Sequence, residues 1–226
     1  MQVTYFHHSG VMVELDKHIL VFDYYTEGGR YDFLQKPNWK QKDVFVFVSH
    51  AHADHYDDCI LAWKDDVQYI VSDDVMMKKA DNVTTISPHQ TKTVQGVEIK
   101  TLQSNDEGVA FLVKTEGKTI YHAGDLNWWH WNGESDTFNN DIAQSYCNEI
   151  DLLKGETIDV AFVPVDPRLE DKLCWAADYF METIGAKTLM PVHFWKNFGV
   201  CQALQTKQYQ DAVAVITKEN ETISIP

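Results

Sequence analysis

Apolar and polar positions divide the chain into many short β-type segments and a few helical ones. Residues 3–6, 11–15 and 19–23 read as strands, separated by the turn His7-His8-Ser9-Gly10 and by Asp16-Lys17. Residues 44–48 form a continuous run of Val and Phe, as expected of a strand buried on both faces. Further strands are expected at 67–72, 84–87, 92–94, 97–103, 109–115, 158–165 and 188–195, with Glu116-Gly117-Lys118 as a hairpin turn leading into a strand that ends at Gly124-Asp125. Helical spacing is clearest at 134–153, where Phe138, Ile142, Tyr146 and Ile150 recur every four residues, and at 173–184, closed by Gly185. Shorter helices are expected at 56–64, with Asp57 and Asp58 suited to the first turn, and at 73–79. Residues 24–41, with Gly28-Gly29 and Pro37, read as a loop, and 212–217 with 222–225 as a closing strand pair.

One stretch carries most of the chemistry. Directly after the 44–48 strand comes Ser49-His50-Ala51-His52-Ala53-Asp54-His55, which places four metal-type ligands, His50, His52, Asp54 and His55, within six residues. Imidazoles at i and i+2 converge on one cation when the backbone is extended or turning, while Asp54 and His55 point to a neighbouring position. This spacing suits a two-metal hydrolytic site. It also lies at the C-terminal end of a strand, where α/β proteins keep their chemistry.

Composition narrows the partners. The 226 residues suit one large domain over 1–226, and 19 Lys and Arg against 34 Asp and Glu give a net charge of −15. That balance disfavours unspecific binding to nucleic acid or an anionic membrane, leaving a small-molecule substrate; the modest basic clusters are 36–42 and Lys78-Lys79. Four scattered cysteines without a Cys-x-x-Cys pair suit free thiols in a reducing cytosol. No signal-like N-terminus or membrane-length apolar run is present, so a cytoplasmic location is expected. Oligomeric state is left open.

The His-x-His-x-Asp-His motif resembles the signature of the metallo-β-lactamase-fold hydrolases, and the opening meander with its His-Ser-Gly turn is similar to the UlaG-like branch. The resemblance implies an α/β (α+β) fold, a four-layer αββα sandwich, with the site at one edge of its two sheets. It implies two divalent cations, Zn or Mn, held by His50, His52, Asp54, His55, Asp125 and His193. Asp125 stands in the Gly-Asp context of the family's bridging aspartate, and His193 closes a strand where the family's final ligand stands. Asp54 and Asp125 are the candidate catalytic carboxylates. Asp23 is either a support of the ligand loop or a solvated strand-end residue, and His8 either an outer contact of the pocket or a turn histidine. His122 reads as packing behind the site. Trp128 and Trp129, in a stretch with three of the chain's seven Trp, form either an aromatic wall for a flat substrate or the packing of an inserted helix. His130 is a candidate general acid; Lys196 either meets an anionic substrate group or is solvated.

The chain departs from the pattern at Ser104-Asn105-Asp106-Glu107-Gly108, where the family carries a third histidine for its first metal. Asn105 stands in that register and Asp106 is the better ligand chemically. A carboxylate there shifts preference toward harder ions such as Mn²⁺. The expected reaction is attack of a metal-activated hydroxide on a small ester, lactone or phosphodiester. The rival is a catalytically silent metal-binding or sensing module on the same fold, with a di-iron redox protein as a third reading.

Overall fold

A computed structural model describes residues 1–25, 41–63 and 67–226. The central part of the 24–41 loop, most of the 36–42 basic cluster and the end of the 56–64 segment lie outside the described residues. Thirteen strands among the described residues form two sheets. The first has the order β13-β1-β2-β3-β4-β5-β6, from β1 (Gln2–His7), β2 (Gly10–Glu14), β3 (His18–Phe22), β4 (Asp43–Val48), β5 (Gln68–Ser72), β6 (Val83–Ile86) and β13 (Glu221–Ser224). The second has the order β12-β11-β10-β9-β8-β7, from β7 (Thr91–Val94), β8 (Val97–Gln103), β9 (Val109–Thr115), β10 (Lys118–His122), β11 (Ile158–Pro164) and β12 (Ala186–Val192).

Both sheets are mixed, antiparallel at one end and parallel at the other. Strands β3 to β6 run parallel, as do β10 to β12; the remaining pairs are antiparallel, hairpins except for β1 with β13, which joins the two ends of the chain. Parallel strands deliver their C-terminal ends to one rim, so the loops after β3, β4, β10, β11 and β12 are brought together there.

Alternation along the strands sorts the core. In β4, Phe45 and Phe47 join the cluster between the sheets, while Val44, Val46 and Val48 join the cluster on the outer face of the first sheet. Phe47 stacks on Phe22 at 4.6 Å and meets Phe111 of the opposite sheet edge-on at 5.3 Å. Truncating such a ring to Ala costs about 3–5 kcal/mol. Helices α1 (Asp136–Asp151) and α2 (Trp175–Thr183) cover the second sheet, with Tyr121 stacked on Phe180. This is the sandwich of the metallo-β-lactamase type that the motif order implied.

Three expected elements differ. The 56–64 helix is a 3-10 turn over Asp58–Ala62, capped by Asp57, whose carboxylate accepts from the Cys59 amide at 2.9 Å; Trp63 ends it in an extended conformation. Residues 73–79 form turns, because the Asp74 carboxylate is committed to the Ala51 amide at 2.9 Å and so braces the ligand loop. The closing pair does not form. Strand β13 pairs with β1, while the 212–217 segment touches the other sheet through the Leu189–Val213 bridge. A short helix α3 (Val200–Leu204) lies between β12 and the 212–217 segment in the chain.

Candidate metal centre

The rim collects its side chains from five parallel strand ends and two hairpin turns. Asp23 follows β3, His50 to His55 follow β4, Asp125 follows β10, Asp166 follows β11 and His193 follows β12. His8 comes from the β1–β2 turn, and Asn105 and Asp106 from the β8–β9 turn. His8, Asp23 and His193 all have positive φ, at 55°, 44° and 64°. Each such backbone costs about 1 kcal/mol or more, a strain that the site's contacts must hold. The His193 amide donates to the His8 carbonyl at 2.9 Å, locking two of these residues to each other.

Hydrogen bonds fix which imidazole nitrogen is free. The Ser49 hydroxyl donates to Asp23 Oδ2 at 2.6 Å, so it accepts from His50 Nδ1 at 2.9 Å. His55 Nδ1 donates to Asp23 Oδ2 at 2.8 Å, and His193 Nδ1 donates to Asp166 Oδ2 at 3.0 Å. All three rings therefore turn Nε2 inward, and all three converge on Asp125: His55 at 3.1 Å and His193 at 3.2 Å from Oδ1, His50 at 3.5 Å from Oδ2. A carboxylate holding the outer nitrogen while the inner one faces a common point is how proteins orient metal-binding histidines.

The buried donors are unsatisfied. His55 Nε2, Asp125 Oδ1 and both nitrogens of His8 are buried and make no hydrogen bond. His8 Nε2 lies 3.3 Å from Asp54 Oδ2. Orphaned buried polar atoms are rare and costly, about 1–3 kcal/mol each, so several facing one point argue for a missing partner common to all. Three sets of donor atoms lie within 4.8 Å of one another: His8, Asp54, His55 and His193; His50, His55 and Asp125; and His52, Asp106 and Asp125. The cluster is able to bind metal.

Its electrostatics agree. Burial alone would push Asp125 up, but the positive His55 and His193 beside it outweigh this and hold its carboxyl well below the usual range. Burial likewise opposes charge on His55, yet Asp125 and Asp23 together raise it to about 10. Asp23 is held low against its own burial by the His55 hydrogen bond and by His122 and His55 charge. Burial lowers His8 to about 4, so its ring is neutral, while the nearby imidazoles of His8 and His55 hold Asp54 below the usual carboxylate range against its partial burial. The centre is organised to hold positive charge.

The remaining predicted residues fall into distinct places. His52 is 45% exposed, with Nδ1 3.0 Å from His50 Nε2 and Nε2 3.4 Å from Glu107. Asn105 does not turn toward the cluster's donors: its amide donates to the Asn127 carbonyl at 2.8 Å and accepts from the Asn127 amide at 3.2 Å, pinning the 126–131 loop. Asp106 remains the exposed carboxylate of that turn. His122 is a fastener between sheets, Nε2 donating to the Ser9 carbonyl at 2.9 Å and Nδ1 accepting from the Gly124 amide at 3.2 Å. Trp128 packs among Tyr146, Trp175 and Tyr179, whereas Trp129 lines the cavity and donates to the Asp125 carbonyl at 3.1 Å. His130 packs edge-on against Trp175 at 4.8 Å and is absent from the cavity lining, which places it away from a general acid's position. Lys196 lies 3.9 Å from Glu219 and is likewise outside the lining.

A cavity of about 390 Å³ opens over the cluster, lined by the polar His52, Asp54, Asn105, Asp106, Asp125, Arg168 and His193 and by the apolar Trp129, Trp131, Phe138 and Ile142. Asp74, Asp166, Trp131 and Arg168 were not singled out from sequence. Asp166 had a readable signal, since it follows a buried strand as Asp125 and His193 do. Arg168 lies beyond that strand end, and nothing local marks it.

A family model for the β-lactamase superfamily domain matches residues 2–131. The chain is similar to a metal-dependent hydrolase of Thermococcus kodakarensis, 29% identical over 140 residues, 55% of this chain and 61% of the relative. It spans about three fifths of the length of that archaeal relative. A metal-dependent hydrolase of Bacillus velezensis is 26% identical over 220 residues, covering 86% of this chain and 85% of the relative. Among solved structures, a metallo hydrolase from the archaeon Ignicoccus hospitalis superposes with a TM-score of 0.68 at 17% identity, covering 98% of this chain and 97% of the other. The metallo-β-lactamase fold protein YhfI from Bacillus subtilis gives 0.66 at 16% identity, covering 98% of each. Among the described residues no helix is long and apolar enough to cross a membrane.

Proposed function

This chain belongs to the β-lactamase superfamily, and from that premise we propose that it is a metal-dependent hydrolase of small esters, lactones or phosphodiesters. The observation that carries the reading is the convergence of His50, His55 and His193 Nε2 on Asp125, with buried donors left unsatisfied. Asp54, His55 and His193, with His8 beside them, would hold one cation; His50 and His52, with Asp106 in place of the family's histidine, the other; Asp125 would be shared. Cations bound there supply Lewis acidity and make a nucleophile from water available near neutral pH.

The chain's own residues set the rest. Asp23 and Asp166 hold the imidazoles in the tautomer that frees Nε2. Asp54, ionised and partly exposed to the cavity, is placed to orient an attacking water by accepting a hydrogen bond from it. Trp129, Trp131, Phe138 and Ile142 give the cavity an apolar surface for the body of a substrate. Asp106 makes the outer site richer in oxygen donors, which favours Mn²⁺ over Zn²⁺ there. The free cysteines suit a reducing cytosol, and the acidic surface a small-molecule substrate rather than nucleic acid.

The test is hydrolysis of bis-p-nitrophenyl phosphate and of a simple lactone by protein loaded with Zn²⁺ or Mn²⁺, beside metal content by elemental analysis. Turnover that disappears in His52→Ala supports the proposal. Metal binding without any turnover would favour the silent sensing module.

A further inference from the structure

The cavity lining carries a guanidinium beside the histidines. Arg168 stands on the 3-10 turn after β11, and its guanidinium carbon lies 4.9 Å from the Trp195 ring, 5.6 Å from Trp131 and 5.9 Å from Trp129. Nε donates to the two Asp166 oxygens at 3.0 and 2.9 Å, and Nη2 donates to Oδ2. A guanidinium carries five N–H donors in a planar fork. Asp166 takes the Nε–H and one Nη2–H. Both Nη1–H groups and the second Nη2–H have no acceptor among the described residues, so one whole edge of the fork is unused.

That edge is available and aligned. Asp166 is fully buried whereas the Arg168 side chain is 51% exposed and lines the cavity. The carboxylate that grips Arg168 also grips His193 Nδ1 at 3.0 Å, so the guanidinium is held in register with the cluster. Trp129 and Trp131 lie parallel, 3° apart in plane at 5.7 Å, and provide a flat apolar face beside it. Charge sharpens the case: the chain is strongly acidic, and Arg168 is the one Lys or Arg in the cavity lining among the described residues. Arg168 is thus the one permanently charged cation that the lining offers an anion, and a pre-oriented guanidinium edge matches the two oxygens of a carboxylate or phosphate.

We propose that Arg168 is an anion receptor that determines specificity, and that the molecules bound pair a carboxylate or phosphate with a flat or apolar body. The anion takes the Nη1–Nη2 edge and the body lies against Trp129 and Trp131. This rests on the hydrolase reading for the word substrate, so the experiment reads binding, independently of turnover.

Calorimetric titration of the Mn²⁺-loaded protein with phenylphosphonate, benzoate, methylphosphonate and neutral benzyl alcohol tests it, the two acids telling phosphate from carboxylate preference. At least one aromatic acid should bind tenfold or more tighter than the alcohol. Arg168→Met should lose at least tenfold in that affinity at unchanged metal content, and Trp131→Ala should weaken phenylphosphonate but not methylphosphonate. Since Arg168 also braces Asp166, Arg168→Lys is the companion variant; it keeps the ion pair but not the planar edge, and the same loss is expected. Acid binding undiminished in both Arg168 variants would place the anion on the cations and overturn the proposal, as would equal binding of acid and alcohol. Loaded protein that binds the acids as described yet hydrolyses none of the esters would defeat the hydrolase reading and leave the receptor standing.

Discussion

The two halves of the ligand cluster are built to different standards. In the inner half, His55 and His193 are buried and each is held at Nδ1 by a buried carboxylate, Asp23 or Asp166. In the outer half, His52 is nearly half exposed, its neighbours are His50 and Glu107, and Asp106 stands on an exposed turn. Inner donors have little rotamer freedom left to lose when a cation arrives, whereas His52 and Asp106 must still be ordered. The inner half should therefore bind first and more tightly, and the outer half should bear the chain's variation in metal preference.

Removing the residue common to both halves breaks the comparison outright. Asp125→Ala should cost about 10³-fold or more in turnover, the several kcal/mol that a correctly placed cation contributes. Elemental analysis should find at most one equivalent bound, and the melting temperature should show that the fold survives. Full activity in this variant would end the assignment.

Supporting residues should separate the halves. Asp166→Asn removes the charged acceptor of His193 Nδ1, which the outer half does not share, and should weaken the tight ion by about 10–100-fold. Asp106→Asn should leave that ion in place and reduce or abolish the second equivalent. Titration with a chelating competitor reads both constants. Equal loss in the two variants would show that the halves are not independent.

Much of this arrangement was legible in the sequence, and the reason is local. His50 to His55 follow an apolar run at ligand spacing, while Asp125 and His193 close strands and are marked out there by the resemblance to the metallo-β-lactamase-fold hydrolases. What escaped lies in the third dimension. Asp74 looks like the start of a helix until its carboxylate is found on the Ala51 amide. The 212–217 segment has the pattern of a strand, yet it belongs beside β12 while β13 crosses to β1. Asn105 occupies the register of a ligand but spends its amide on Asn127, which only the fold of the 126–131 loop decides.

A smaller effect tests how the sheets hold the outer half in place. Gly108 has φ 66°, and a Cβ there would lie 2.0 Å from the Ser49 carbonyl oxygen and 2.6 Å from His50 Cβ. The next residue's amide, Val109, donates to that same Ser49 carbonyl at 3.0 Å, tying β9 to the end of β4. Gly108→Ala should destabilise the fold by about 2 kcal/mol, from positive φ and overlap with backbone that cannot move away. Urea denaturation measures it; a change below about 0.5 kcal/mol would show that the loop is freer than its contacts imply.

The least disruptive probe changes no residue. In the metal-free protein His55 is raised to about 10, so it carries a proton at neutral pH; its contribution to stability is complete below about 6.5 and is lost as pH rises through about 10. A cation needs the neutral ring, so filling the inner half must release that proton. Affinity for the first equivalent should then rise at least tenfold per pH unit across about pH 6–8, and calorimetry in buffers of different ionisation heat should report at least one proton released, His193, raised by Asp125 and Asp166 against its burial, adding to His55. His50, lowered by burial and by the charge of His55, is already neutral there and gives the outer half no such proton. A first equivalent whose affinity is flat with pH would mean that His55 is not displaced from its pairing with Asp125, and the inner half could not then be the tighter site.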